Sequence, residues 1–326
     1  MSNLKDSFGR QFPYLRLSVT DACNFRCQYC LPNGYQKTEA FEFLSVQEII
    51  RLVTAFASLG VEKVRLTGGE PTLRRDLTTI ATAISRIPGI RTIALTTNGY
   101  NLKDKAKVFF ASGINALNVS VDSLNAQKFH TITGHDKLAE VLGGVDAARQ
   151  AGFRNIKINT VLLKGVNDND LPEFLAWIKK EQLSVRFIEL MQTGSNLDYF
   201  QKHHLSADTI KQKLLEYGFS LCLRAHDAGP AVEFGCVGYT GKIGLIAPYS
   251  KDFCTSCNRL RVTARGELRL CLFGEQGYNL RPLLESDGQI EALKEKILEL
   301  LHFKHKSHYL GQGITGITPH LASIGG

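Results

Sequence analysis

Six of the eight cysteines in this 326-residue chain fall into two short groups, Cys23/Cys27/Cys30 and Cys254/Cys257/Cys271. Three thiols within one eight-residue segment can supply three corners of a cubane iron–sulfur centre, which is ligated mainly by cysteine. A cubane that only transfers electrons takes four. With no fourth cysteine nearby, one iron stays open to an outside ligand, and open positions mark catalytic metals. Zinc completed by a distant His or Cys is the alternative, although zinc motifs favour two-residue spacing on both halves. The second group joins Cys254-x-x-Cys257 to Cys271 across thirteen intervening residues, again three thiols, and zinc finished by a histidine is the alternative there too. Arg259 and Arg261 follow it at alternate positions of a predicted strand, so their side chains point the same way. Two guanidiniums beside a metal centre make a receptor for phosphate or another anion. Cys222 and Cys236 stand alone and are expected as buried structural thiols.

The elements that must hold these groups are readable from hydrophobic period. Strand-like runs occupy 14–19, 61–67, 91–97, 115–121, 155–163 and 184–190. Helix-like stretches lie between them, among them 46–60, 102–113 and 170–182; the second stops at Ser112-Gly113, where glycine accepts the left-handed conformation. Six repeats of strand then helix imply parallel strands joined by crossovers, hence a barrel or a doubly wound sheet. Function should then gather at the strands' C-terminal ends. Gly68-Gly69-Glu70-Pro71, Asn98-Gly99, Asp122-Ser123 and Met191 all sit there. Near residue 193 the rhythm changes: 193–204 reads as a loop and 206–218 as a helix opened by Ser206. Short strands, glycines and the second cysteine group follow, then a terminal helix around 288–303. The fold expected is α/β, an incomplete (β/α)6 TIM-like barrel over 10–220, with a smaller C-terminal α+β layer over 221–326 closing its open side.

Composition narrows the class. Lys and Arg outnumber Asp and Glu by 39 to 31, a net charge of +8 with pI near 9.0, which favours anionic partners or simply a soluble basic surface. No apolar stretch is long enough to span a bilayer and the start lacks a secretory signal, so a cytoplasmic protein with no membrane partner is expected. In that reducing compartment clustered thiols mean metal or redox chemistry, not disulfides. The basic run HFKHKSHY (302–309) reads as the positively charged end of an amphipathic helix. Gly311-x-Gly313-x-x-Gly316 matches a dinucleotide fingerprint in letters only, since no strand precedes it and Pro319 follows.

CNFRCQYC resembles the signature of the radical S-adenosylmethionine (SAM) superfamily, and GGEP one strand later resembles that family's SAM amino-binding motif. Within the superfamily, CxxCNRLR with its third cysteine is similar to the GTP 3′,8-cyclases of molybdenum cofactor biosynthesis. So are LRLSVTDACNFRCQYC, KVRLTGGEPTLRRD, TTNG, NVSVDS, FHTITGHD, KINTVLLKGVND, RFIELM and the terminal Ile-Gly-Gly. Nearly the whole chain is covered.

The resemblance implies two [4Fe-4S] clusters, the first on Cys23, Cys27 and Cys30 with its open iron on SAM, the second on Cys254, Cys257 and Cys271 with its open iron on the purine. It implies a deoxyadenosyl radical that takes hydrogen from C3′ of GTP, attack of the ribose radical on guanine C8, then reduction by one electron. Tyr29, Gly69, Ser120 and Met191 would contact SAM, while Arg16, Arg65, Thr96, Lys157, Arg259, Leu260 and Arg261 would contact GTP. Gly325 and Gly326 would thread into the active site, where a narrow channel has no room for side chains. A reducing electron donor and a companion cyclic pyranopterin monophosphate synthase are the implied partners, with no nucleic acid; the oligomeric state is left open, a homodimer included. Two rivals stand beside this reading. One is another radical SAM enzyme with an auxiliary cluster, whose C-terminal cysteine array is usually longer. The other is a zinc-stabilised nucleic-acid-binding protein, suggested by the pI.

Overall fold

In the computed structural model, which describes residues 4–37, 42–223 and 229–325, the six apolar runs form parallel strands paired in chain order. They are β1 (Tyr14–Thr20), β2 (Lys63–Gly68), β3 (Thr92–Thr97), β4 (Ala116–Ser120), β5 (Asn155–Leu162) and β6 (Ser184–Glu189). Six helices fill the crossovers: α1 (Val46–Ser58), α2 (Leu77–Ser85), α3 (Leu102–Ala111), α4 (Ala126–Thr133), α5 (Leu138–Gln150) and α6 (Leu171–Lys180). Local signals set their ends. Ser45 and Glu48 form a reciprocal capping box at the start of α1. Gly113, at φ +94°, ends the turn after α3.

The remaining third supplies α7 (Leu197–His203), α8 (Ala207–Glu216), β7 (Ser220–Leu221), β8 (Val232–Gly235), β9 (Lys242–Ile246), β10 (Arg259–Val262), β11 (Glu267–Arg269), β12 (Tyr278–Asn279) and α9 (Ile290–Leu301). These strands do not make a separate sheet. β9 pairs parallel with β6, β10 pairs parallel with β1, and each carries an antiparallel continuation outward. The result is one twelve-stranded sheet in the order β12-β11-β10-β1-β2-β3-β4-β5-β6-β9-β8-β7. Its two ends do not pair, so the six β/α units form an incomplete barrel with a smaller α+β layer along the open side. One apolar core runs from Leu4 and Phe12 to Leu301.

The loop expected over 193–204 contains α7. Its period is too short to read from sequence; the helix is held by Tyr199 and Phe200, which pack against Ile132, Leu163 and Leu190. No helix among the described residues is long and apolar enough to cross a membrane.

Candidate active site

Strand register decides which side chains meet. Along β1, Tyr14 lies between Lys63 and Arg259 on the neighbouring strands, and Arg16 lies between Arg65 and Arg261. Alternate residues of a strand share a face, so these six point together into the concave side of the sheet, while Leu15, Val64 and Leu260 face the core. Lys157 of β5 and Arg186 of β6 reach the same space. The cavity they line has a volume of about 710 Å³.

Nine Lys and Arg side chains line this cavity against one carboxylate, Glu233. Burial, then repulsion from Arg186, Lys63 and Arg65, lowers the Lys157 ammonium to about 7. Burial raises the Tyr14 phenol, but Arg65, Arg16 and Lys63 outweigh it and bring the group down to about 7. Burial, with repulsion from Arg16 and Arg259, also depresses Arg261. Buried polar atoms on the cavity wall lack partners: Asn118 Oδ1, Asn159 Oδ1, Arg186 Nε and Arg261 Nε. Unpaired buried polar groups are unfavourable, and a polyanionic ligand bearing hydrogen-bonding groups would satisfy both deficits.

The first cysteine loop follows β1 and is pinned on two sides. The Arg26 and Gln28 amides donate to the Thr133 and Ile132 carbonyls at 3.1 and 2.9 Å, and Asn98 Nδ2 donates to Asn24 Oδ1 at 2.8 Å. Gly68 and Gly69 let the end of β2 press against the same segment. A Cβ on Gly68 would stand 2.1 Å from the Thr20 carbonyl oxygen, and one on Gly69 2.2 Å from that of Ala22. Glu70 then accepts from Thr72, from Thr97 Oγ1 at 2.8 Å and from the Asn98 amide at 2.6 Å, tying this turn to the end of β3. Tyr29 donates its hydroxyl to Asp122 at 2.9 Å, just beyond Ser120 at the end of β4. Met191 follows β6 and is fixed through Asn196 Nδ2 on its carbonyl at 3.0 Å; Tyr249 Oη accepts from the next amide, Gln192, at 3.0 Å.

All eight cysteines are free and half-buried. Burial raises all three thiols of the first set, Cys23 to about 11 and Cys30 to about 12, with the acidic groups Glu70 and Asp122 adding to it. Neutral thiols do not bind metal; a cationic iron centre is what would deprotonate them in this setting. At Cys257 burial also raises the thiol, but Lys304, Arg259 and Arg261 pull it down to about 7. Among the described residues no three His, Cys, Asp or Glu side chains gather closely enough to hold one ion. Each set offers three thiols, which as thiolates supply three corners of a cubane, so the donor chemistry fits an iron–sulfur cluster with one iron left to an outside ligand.

Cys254, Cys257 and Cys271 line the cationic cavity together with Met191, Arg16, Arg65, Lys157, Arg259 and Arg261. Thr96 shares the concave face with Arg65, from which it accepts at 3.1 Å. Leu260 is core-facing, so only its backbone is available to a ligand. Arg16 donates twice to the Gly325 carbonyl, at 3.1 and 2.7 Å, which brings the chain's end against β1 and β2. Gly326 lies outside the described residues. The tail reaches this place over a laced path: Ile317 donates to Gly274, Thr318 Oγ1 to Leu272, and the Gly194 and Ser195 amides to Thr318 and Pro319.

Sequence reasoning missed Tyr14, Lys63, Arg186 and Lys304 as cavity residues. Strand parity was the available signal for Tyr14 and Lys63, which lie two residues before Arg16 and Arg65. Lys304 corrects the reading of 302–309 as a charged helix end. The α-helix stops at Leu301, and Lys304 is 5% exposed because the chain turns back over Phe12. Cys222, expected in the core, lies on the cavity wall.

Comparison with known proteins matches residues 17–178 to the radical SAM superfamily and 183–310 to the molybdenum cofactor synthesis C family. A GTP 3′,8-cyclase of Stenotrophomonas maltophilia is 56% identical over the whole of both chains. One of Psychromonas ingrahamii is 56% identical over 99% of this chain and 95% of its own. Among solved structures, SuiB of Streptococcus suis bound to S-adenosylmethionine aligns with a TM-score of 0.60 at 12% identity, over 88% of this chain and 68% of its own. At that identity the likeness is one of fold.

Proposed function

This chain belongs to the GTP 3′,8-cyclase family of the radical SAM superfamily, and on that premise we propose how its own residues carry the reaction. The enzyme converts GTP to (8S)-3′,8-cyclo-7,8-dihydroguanosine 5′-triphosphate, the first step of molybdenum cofactor biosynthesis, using SAM and two [4Fe-4S] clusters. The observation that carries the assignment of residues is the cationic cavity with the second cysteine set and Met191 on its wall.

Cys23, Cys27 and Cys30 hold the first cluster, which when bound supplies the electron for reductive cleavage of SAM. Gly69 presents its backbone to the SAM amino end, Ser120 and Met191 line the strand ends beside it, and Tyr29, oriented by Asp122, lies against the adenine. Cys254, Cys257 and Cys271 hold the second cluster next to the purine. Arg16, Arg65, Lys157, Arg259 and Arg261 receive the triphosphate, with Thr96 steadying Arg65 and the Leu260 backbone keeping the two arginines of β10 in register. Clustered cations in a water-poor cavity bind phosphate oxygens through charge-assisted hydrogen bonds. Gly325, held by Arg16, closes the space where the ribose radical forms, keeping water and other hydrogen donors out.

Residues 10–220 carry the radical chemistry and 221–326 the auxiliary site. The enzyme works in the cytoplasm with a low-potential electron donor and hands its product to a cyclic pyranopterin monophosphate synthase. The test is an anaerobic assay of the reconstituted full chain with reductant, SAM and GTP. Formation of 5′-deoxyadenosine together with a cyclised nucleotide is expected. Deoxyadenosine without any cyclised product, over several nucleotides, would remove the substrate assignment.

A further inference from the structure

Lys304 is the most deeply buried lysine of the described chain, and its surroundings are unusual for an ammonium. Its Nζ donates to the carbonyl of Leu270, the residue directly before Cys271, and lies 5.2 Å from the centroid of the Phe12 ring. It lines the cavity beside Cys257 and Cys271. The other charged groups that act on it are Arg10 and Arg261, both cations, and no carboxylate of the described residues pairs with it. A buried ammonium with one carbonyl and one ring face is poorly compensated. It needs an anion, and the described residues place no acidic side chain there. What it places are two thiols.

We propose that Lys304 is a positioning residue of the second cysteine set, the built-in counter-cation of the thiolate-ligated centre. This rests on the reading of Cys254, Cys257 and Cys271 as cluster ligands. A cluster held by thiolates carries net negative charge and gains more on reduction, and nearby charge and hydrogen bonding set its potential. A fixed ammonium against two of the ligands therefore favours the assembled centre, and favours its reduced state over its oxidised one. Through Leu270 it also fixes the start of the Cys271 loop. Arg259 and Arg261 line the same cavity, but Lys304 is the one tied by its ammonium to the carbonyl directly before Cys271.

The experiment uses the full chain with Cys23, Cys27 and Cys30 replaced by alanine, so that any remaining cluster is the second one. In that background Lys304→Met removes the charge at similar length and Lys304→Arg keeps it. Iron and sulfide per chain are counted after anaerobic reconstitution, and the midpoint potential is read by titration followed by electron paramagnetic resonance. The Met variant should hold its cluster with the reduced-to-oxidised ratio at fixed potential at least tenfold lower, about 59 mV for one electron, or fail to hold iron, while the Arg variant stays near the parent. Equal iron at an unchanged potential in the Met variant overturns the proposal. So does an Arg variant as defective as Met, which would make Lys304 a packing residue. A Met variant changed only in GTP affinity would make it a phosphate contact and overturn the proposal too. If the parent itself bound no iron, the ligand assignment would fail, and the role of Lys304 with it.

Discussion

Raising the pH from 7 to 9 should strip GTP from this enzyme, for a reason that lies in the crowding of its cavity. Lys157 is held at about 7 by burial and by Arg186, Lys63 and Arg65. A bound triphosphate reverses that repulsion and returns the ammonium toward its ordinary value, so binding takes up a proton. The sign follows: the free-state value lies below the bound-state value, hence affinity is full below pH 7 and is lost as pH rises through it. For one such group the dissociation constant grows as one plus ten to the power of pH minus 7. That is about fivefold between pH 7 and 8 and about fiftyfold between pH 7 and 9. Tyr14, also brought down to about 7, acts in the same direction, because a phenolate facing the phosphates repels them. The dependence is then steeper than one proton allows. Isothermal titration of GTP into the anaerobic holoenzyme, in buffers of different ionisation enthalpy, reads the affinity and the protons taken up together. Lys157→Met should bind more weakly at pH 7 and lose part of the pH dependence. A dissociation constant that changes less than twofold from pH 7 to 9, with no proton uptake, would refute the reasoning.

Other substitutions probe the places where backbone and loops touch. Gly69→Ala puts a methyl 2.2 Å from the Ala22 carbonyl, displacing the first cysteine loop; iron per chain should fall by about half and SAM cleavage should stop. Gly325→Ala sets a Cβ 2.2 Å from Thr67 Cγ2 at a φ of +69°; iron content should be unchanged while cyclisation slows by about a hundredfold, measured by product chromatography. Thr318 is 1% exposed and donates to Leu272 at 2.5 Å. Thr318→Val should weaken the seating of the tail by about 1–2 kcal/mol, seen as faster amide exchange over 311–325 with little change in the main melting transition.

The barrel strands were legible because each alternates core-facing apolar residues, Leu15, Leu17 and Val19 in β1 and Leu117 and Val119 in β4, with residues of the other face. The cysteine spacing and the paired glycines were legible for a different reason: few other residue types can do what thiols or a missing Cβ do. What the letters concealed were contacts made by return of the chain. Lys63 and Arg186 look like the ordinary polar members of alternating strands until the register sets them beside Arg65 and Lys157. Lys304 sits in a run of histidines and lysines that reads as solvated, and only the turn after α9 carries it inward. The tail's glycines carry no period at all, and its course is fixed by hydrogen bonds to loops more than forty residues away in sequence.

The sheet order has a consequence for biogenesis. The outermost strands of the barrel half, β1 and β6, find their outer partners only in β10 and β9. While the chain is being made, the β6 margin stays bare until residue 246 has emerged and the β1 margin until residue 262, and bare margins invite pairing with other chains. The second cysteine set reaches the cavity wall only with those same late pairings, since Cys254 and Cys257 precede β10 and Cys271 follows β11. Iron offered before those strands are made would find the second site unassembled.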